Sequence, residues 1–147
     1  MKLQTQVLID ADLESVWRAF NNSDNISRWQ TNLKSFTHKS GEPGQPGAVS
    51  ELLYDENGRD VLLTETITER RDPNFLAGTY ESNWGTTVIV NHFEKTGDRQ
   101  TRWISYSRHT FKGIMRFLAI FMRKTMCKRL DDDMQRFKFF VESQAVT

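Results

Sequence analysis

The chain has few of the features that restrict a protein to a special environment. Cys127 is its one cysteine among 147 residues, so an intrachain disulfide is excluded and a reducing compartment, the cytoplasm, is expected. The longest apolar run, 117–122, is far shorter than the roughly 20 residues that span a bilayer. Residues 1–6 lack the apolar stretch of a signal peptide. We therefore expect a soluble, cytoplasmic protein with no stable membrane insertion.

The sequence also lacks strong net charge and the common catalytic motifs. Lys and Arg number 20 and Asp and Glu 19, which gives no long-range attraction to nucleic acid. No Gly-rich phosphate loop, His-Glu-x-x-His, Cys-x-x-Cys or Gly-x-Ser-x-Gly motif occurs. His38, His92 and His109 lie in different segments without ligand spacing. We expect neither a metal ion nor a cofactor.

What the chain does have is enough aromatic and apolar side chains for a packed core. Ten Phe, four Trp and three Tyr exceed what a disordered chain carries, and 1–147 fits a single domain. Alternation predicts a first strand over 3–9. Asp12 then caps a helix over 13–21, and a second short helix follows at 24–30.

Turn residues divide the next eighty positions into short extended segments. A Gly/Pro loop covers 41–47, Asn57-Gly58 is a hairpin signal, and 96–98 is another turn. Short connections imply antiparallel neighbours. The predicted strands cover 32–39, 48–55, 60–70, 75–82, 86–94 and 101–110.

The chain closes with a predicted helix over 113–143. Apolar residues recur every three or four positions and form one stripe: Met115, Leu118, Met122, Met126, Leu130, Met134, Phe137 and Val141. The opposite, solvated side carries Lys124, Lys128, Arg129, Asp132, Asp133 and Arg136. Asp132 is four residues from both Lys128 and Arg136, so pairing along this side accounts for the charges.

These elements predict an α+β fold in which a curved antiparallel sheet wraps around one long helix. A seven-stranded antiparallel sheet must bury its apolar face, and the long C-terminal helix is the element able to cover it. A twisted, curved sheet around one helix leaves a space between them, with the two short helices placed after the first strand. That space is the predicted binding site.

The chain resembles the START-like, or SRPBCC, superfamily of polyketide cyclases/dehydrases and lipid transport proteins. The resemblance rests on Val16-Trp17-Arg18-Ala19-Phe20 after the first strand and Trp29 at the end of the second helix. Gly44-Gln45-Pro46-Gly47, Thr101-Arg102-Trp103 and the Met-rich closing helix add to it. It covers nearly the whole chain and implies the helix-grip fold, while its members differ widely in function.

Strand alternation assigns the residues that face the predicted pocket. The face of 60–70 with Val61, Leu63 and Ile67 is the more apolar, so it places Glu65 inside. The predicted ligand-binding residues are Tyr54, Glu65, Asn91, Trp103, Ser107, His109, Leu118 and Met122. Glu65 and His109 are the catalytic candidates. In the sheet order that the resemblance implies, their strands are three apart, about 14 Å, which is too far for a direct hydrogen bond unless strong curvature brings the edges together. Each polar residue also has an ordinary structural interpretation as a paired core group.

The start of the last helix carries a second apolar side, formed by Ile114, Phe117, Ile120 and Phe121. A homodimer through Ile114, Phe117 and Phe121, the pocket mouth and a membrane surface are all compatible with it. We rank a partner or mouth contact first, because the nearby basic residues are few.

Three functions remain open from the sequence. The first is a carrier or sensor that binds a small apolar or aromatic molecule. The second is a cyclase- or dehydratase-type enzyme in which Glu65 or His109 moves a proton. The third is an interaction protein that uses the apolar start of the last helix.

Overall fold

Seven strands form one antiparallel sheet in the computed structural model, which describes residues 1–145. The strands are β1 (Lys2–Ile9), β2 (Leu33–Ser40), β3 (Val49–Glu56), β4 (Arg59–Arg71), β5 (Phe75–Ser82), β6 (Gly85–Gly97) and β7 (Gln100–Phe111). Their order is β1-β7-β6-β5-β4-β3-β2, so consecutive strands from β2 to β7 pair as hairpins, and β1 pairs with β7. All seven predicted strands are confirmed, with ends shifted by up to three residues.

Three helices accompany the sheet: α1 (Leu13–Asn21), α2 (Ile26–Trp29) and α3 (Met115–Ala145). Asp12 caps α1 as predicted, because its carboxylate accepts hydrogen bonds from the backbone N–H of Ser15 at 3.1 Å and from its hydroxyl at 2.6 Å. The predicted second helix is shorter than expected. Asn22 caps a 3-10 turn over Ser23–Asn25, and only one α-helical turn follows it.

The β3–β4 hairpin has the turn that its sequence predicts. Asn57 and Gly58 both adopt left-handed backbone angles, with φ of 55° and 87°. Asn and Gly tolerate this region best, and it matches the twist of the two strands. The Asp55 carboxylate accepts a hydrogen bond from the Gly58 N–H at 2.8 Å, which fixes the turn.

The solid core lies under one end of the sheet. There the second half of α3 packs against β1, β6, β7 and the two short helices. Its buried residues are Val7, Ile9, Ala11, Val16, Trp17, Ala19, Trp29, Phe93, Trp103, Met134, Phe137 and Val141. Lys138 Nζ donates to the Leu8 carbonyl at 2.8 Å, and Glu142 accepts from the Asp10 N–H at 2.8 Å. These bonds attach the end of α3 to β1.

The predicted position of Leu118 under the sheet is wrong, because its side chain is 45% exposed. Ala119 is buried in its place, between Met115 and Met122 on the inner side of the helix. With 3.6 residues per turn, the inner side passes through positions 115, 119 and 122, and Leu118 falls beside it.

Asp133, predicted on the solvated side, is buried. It lies seven residues after Met126 and four before Phe137, so helical geometry places it on the inner side with them. Arg136 donates to the Asp133 carboxylate at 2.5 Å and to the Trp29 carbonyl at 3.0 Å. The predicted pair of Lys128 with Asp132 is confirmed at 2.8 Å, whereas Arg136 hydrogen-bonds Asp133 rather than Asp132.

Candidate functional site

A cavity of about 940 Å³ lies between the concave face of the sheet and the first half of α3. Ligand sites usually enclose about 300–1,000 Å³, so its size suits a small organic molecule. Its walls are mainly apolar and include Phe20, Ile26, Trp29, Phe36, Leu52, Val61, Leu63, Ile67, Leu76, Ile89, Met115, Met122, Met126 and Leu130. Methionines from α3 form much of one wall, and their flexible thioethers can repack around different shapes.

The cavity reaches solvent where two hairpin turns approach α3. Asn57 lies in the β3–β4 turn, Trp84 in the β5–β6 turn and Thr125 on α3. All three line the cavity and are also exposed, so they form its rim. The cavity therefore has one opening at the end of the sheet opposite the solid core, and the exposed lining residues Ser23, His38 and Pro43 lie on other parts of its edge.

Phe20 of α1 and Trp29 of α2 separate the cavity from the core. Their rings are stacked with centroids 6.0 Å apart, and both line the cavity. Trp103 lies behind them, 5.2 Å from Phe20 and 5.7 Å from Trp29 between ring centroids. Its indole N–H donates to the Asn91 side-chain oxygen at 3.0 Å, which fixes Asn91 in the cavity wall.

Glu65 of β4 lies on the cavity wall and is paired with Tyr80 of β5. The Tyr80 hydroxyl donates to Glu65 Oε2 at 2.5 Å. Burial raises the pKa of the Glu65 carboxyl, and the Tyr80 hydrogen bond opposes that rise. Burial and the adjacent carboxylate raise the pKa of Tyr80 well above its ordinary value. The pair can therefore offer a ligand an acceptor oxygen or, when protonated, a donor.

His109 of β7 lies between two hydroxyl groups. Its Nδ1 is 2.9 Å from the Thr87 hydroxyl and its Nε2 is 3.0 Å from the Ser107 hydroxyl. Burial, with a smaller contribution from the Met1 ammonium, lowers the pKa of His109 to about 4. The imidazole is therefore neutral near pH 7, with one donor and one acceptor nitrogen.

The two polar pairs lie in one row across the concave face. The strand register pairs Glu65 with Tyr80, Tyr80 with Thr87, and Thr87 with His109. Three strand spacings therefore separate Glu65 from His109, about 14 Å along the sheet. This separation is too large for a direct proton transfer between them, and it places a polar group at each side of an apolar cavity.

A third polar group lies near the α3 wall. Tyr54 donates to the Gln30 side-chain oxygen at 2.7 Å. Burial, followed by the charges of Glu65 and Asp133, raises the pKa of Tyr54. Burial also raises the pKa of Asp133, against the effect of Arg136. On the same side of the cavity, Arg129 donates a hydrogen bond to the Glu56 carboxylate at 2.6 Å.

The structure places five of the eight predicted ligand-binding residues on the cavity wall: Tyr54, Glu65, Asn91, His109 and Met122. Trp103 faces inward as predicted, but Phe20 and Trp29 cover it. Ser107 is buried and reaches the site through His109. Leu118 is the third predicted residue that does not line the cavity, because its side chain faces solvent.

Tyr80 is the main residue that the sequence analysis missed. It shares a strand face with Leu76 and Gly78, opposite the charged Glu81, so alternation could have placed it inside. Its contact with Glu65 was not predictable in the same way, because it depends on the β4–β5 register. A β-bulge between Ile67 and Glu69 shifts that register.

Within residues 1–145, no group of three His, Cys, Asp or Glu side chains is arranged to hold a metal ion. Over the same residues, no helix is long and apolar enough to cross a membrane.

A family model described as polyketide cyclase/dehydrase and lipid transport matches residues 1–139. No curated protein sequence matches the chain. The family and the fold are consistent with ligand binding or with a cyclase-like activity.

Solved structures share the fold over nearly the whole chain. TTHA0849 from Thermus thermophilus has a TM-score of 0.81 at 15% identity, covering 98% of this chain and 99% of its own. The Zhui aromatase/cyclase from Streptomyces sp. R1128 has a TM-score of 0.81 at 9% identity, with coverage of 99% and 95%. Ara h 8.0201 has a TM-score of 0.73 at 12% identity, with coverage of 97% and 98%. At such identities the likeness concerns the fold alone.

Proposed function

The chain belongs to the polyketide cyclase/dehydrase and lipid transport family, and from this premise we propose that it binds a small, elongated apolar or aromatic molecule inside the cavity. The observation that carries the proposal is the cavity itself, about 940 Å³ with mainly apolar walls. Burying such a molecule gains about 25 cal/mol per Å² of apolar surface removed from water. The molecule reaches the cavity past the rim at Asn57, Trp84 and Thr125.

The polar groups specify the ligand's orientation. Glu65 with Tyr80 and His109 with Thr87 lie at opposite sides of the cavity, about 14 Å apart. A ligand with a hydroxyl or ketone group near each end would satisfy both pairs, and its middle would contact the aliphatic and Met side chains. A purely aliphatic chain would remove water from both pairs without offering either of them a further hydrogen bond, which costs binding free energy.

A matched pair of substitutions tests whether the cavity binds ligand. Leu63→Trp fills the cavity, whereas Leu62→Trp makes the same change on the opposite face of β4, where Leu62 is 48% exposed. The apolar dye 8-anilinonaphthalene-1-sulfonate is the probe, and its fluorescence reports binding. We expect Leu63→Trp to reduce dye binding at least tenfold and Leu62→Trp to leave it unchanged. Equal binding by both variants would show that the dye does not enter the cavity.

Native mass spectrometry of freshly purified protein complements this test. A mass excess that disappears in Leu63→Trp and persists in Leu62→Trp would identify a bound natural ligand by its mass. Because the two variants differ only in the face of β4 that they change, loss from both would indicate a general effect on folding.

Dehydration of a β-hydroxy ketone is the second candidate, favoured by the raised pKa of Glu65 on the cavity wall. The Glu65 carboxylate would take the proton from the carbon next to the ketone. As the carbon–oxygen bond breaks, that proton passes to the departing hydroxide, which leaves as water. Tyr80 would orient the carboxylate through its hydrogen bond.

Glu65→Gln separates the carrier from the enzyme, because it keeps the shape of the side chain and removes proton transfer. A carrier should retain dye and ligand binding within about tenfold, or roughly 1.4 kcal/mol. An enzyme that uses Glu65 should still bind but lose about 10²–10⁴ in rate on a β-hydroxy ketone.

A further inference from the structure

The residue before α3 and the first two turns of that helix expose a cluster of large apolar side chains to solvent. Ile114, Phe117, Ile120 and Phe121 are between 72% and 83% exposed, and Leu118 is 45% exposed. We call these five residues the apolar patch. A contiguous exposed patch of this kind on a folded protein marks a surface that contacts something else.

Trp84 extends the patch toward the cavity. It is 42% exposed, and its carbonyl accepts a hydrogen bond from the Lys112 N–H at 2.8 Å, just before α3 begins. Trp84 also forms part of the cavity rim. Tryptophan is enriched where an apolar surface meets headgroups, because its ring is apolar and its N–H is polar.

The charges in the same stretch of chain as the patch are all of one sign. Residues 112–130 include six Lys and Arg and no Asp or Glu. Arg129 pairs with Glu56, and Lys128 with Asp132. For Lys112, Arg116, Arg123 and Lys124, no carboxylate lies within ion-pairing distance in the part of the chain that the structure describes. These four cations, which we call the basic collar, precede, flank and follow the patch along the chain.

The apolar patch and the basic collar together indicate what binds to this surface. A symmetric dimer through the patch would place the basic collar of one copy against that of the other, which is unfavourable. An anionic lipid surface instead takes up the apolar side chains at the level of its acyl chains and the cations at its headgroups. We propose that the start of α3, with Trp84, docks reversibly on an anionic lipid bilayer and brings the cavity rim to the membrane surface.

The test is flotation with lipid vesicles, which requires no cavity ligand and so is independent of the proposed function. The protein should float with vesicles of phosphatidylcholine and phosphatidylglycerol mixed in equal amounts, and not with phosphatidylcholine alone. Binding should weaken as salt is raised, because exposed charges are screened. Equal binding to both lipids, or binding to neither, would overturn the proposal.

Two pairs of variants locate the surface. The double variant Phe117→Ser and Phe121→Ser should abolish flotation, whereas Phe139→Ser, a control on the same helix at 75% exposure, should not change it. Arg123→Gln with Lys124→Gln should weaken binding about 25-fold, from roughly fivefold for each cation lost. Lys95→Gln with Arg99→Gln, in and next to the β6–β7 turn at the far end of β7 from α3, is the charge control. Equal effects of the variant and control pairs would contradict the assignment.

Sedimentation equilibrium distinguishes the competing occupant. The proposal expects a monomer in the absence of vesicles for the wild type and for all variants. A dimer that Phe117→Ser with Phe121→Ser dissociates, in a protein that does not float, would overturn the membrane assignment in favour of self-association. Unchanged unfolding midpoints in these exposed variants confirm that each one is folded.

Discussion

The Tyr80 hydroxyl donates a hydrogen bond to Glu65 Oε2 over 2.5 Å, between neighbouring strands on the cavity wall. Each of the two side chains changes the properties of the other. Glu65 is a buried carboxyl whose pKa is raised, and Tyr80 is the donor that holds the pKa down. We therefore expect substitutions in this pair to change both the stability of the protein and the pKa of the carboxyl group in the cavity.

Tyr80→Phe should destabilise the protein by about 1–3 kcal/mol at pH 7, because it leaves a buried carboxylate without its donor. Urea unfolding measures the change. A double-mutant cycle that combines Tyr80→Phe with Glu65→Gln should give a coupling energy of about 0.5–3 kcal/mol, as expected for residues in direct contact. Tyr106→Phe is the control, since Tyr106 is exposed. Additive effects of Tyr80→Phe and Glu65→Gln would show that the Tyr80 hydroxyl stabilises the carboxyl and the amide side chain equally.

Glu65→Gln should become relatively more stable than the wild type as pH rises. The folded-state pKa of Glu65 is raised, so its protonated form adds stability below the unfolded-state pKa of 4.5, and this is lost as pH rises through the folded pKa. The neutral Gln side chain carries no such dependence. Unfolding curves of both proteins at several pH values above 4.5 measure the difference. A constant difference would mean that the Glu65 pKa is the same in both states.

Acidification should destabilise the wild type through His109. Its folded pKa is about 4 against 6.5 when unfolded, so between these values the unfolded chain binds a proton that the folded chain excludes. Stability is full above pH 6.5 and should fall toward pH 4 by roughly 1–2 kcal/mol, after allowance for partial exposure of the ring. The loss should be smaller in His109→Gln. NMR titration of the imidazole checks the cause, and a midpoint near 6.5 would contradict it.

Asp12→Ala should cost about 1 kcal/mol, because the substitution removes the carboxylate that caps α1. Thermal unfolding monitored by circular dichroism measures the loss. Asp98→Ala, in the exposed turn between β6 and β7, is the matched control and should have little effect. If the two variants unfold alike, the cap does not stabilise α1 measurably.

The two halves of α3 should respond differently to truncation. Met134→Ala should cost about 2–5 kcal/mol, since Met134 is buried in the core. Leu118→Ala should cost less than about 1 kcal/mol, because Leu118 already faces solvent. Urea unfolding of both variants provides the comparison. A large loss in Leu118→Ala would mean that the start of α3 packs on the sheet in solution.

Much of the fold was predictable because its signals are local. Asn57-Gly58 has the backbone angles that its turn requires, and Asp12 caps the helix that its position predicts. The faces of β3 and β4 followed from alternation, so Tyr54 and Glu65 lie on the cavity wall as predicted. The predicted apolar stripe of α3 is buried in the second half of the helix, which packs in the core. The prediction is wrong at Leu118, whose side chain faces solvent.

By itself, the sequence determined the order of the elements, the seven-stranded sheet, the long closing helix and five of the eight residues that were predicted to face the cavity. Each of these follows from the period of a strand or a helix, which neighbouring residues set among themselves. Only the tertiary structure decided that Tyr80 meets Glu65, that Phe20 and Trp29 cover Trp103, and that the first turns of α3 face solvent. These outcomes depend on strand register and on which surfaces meet, and both are set by residues far apart in the chain.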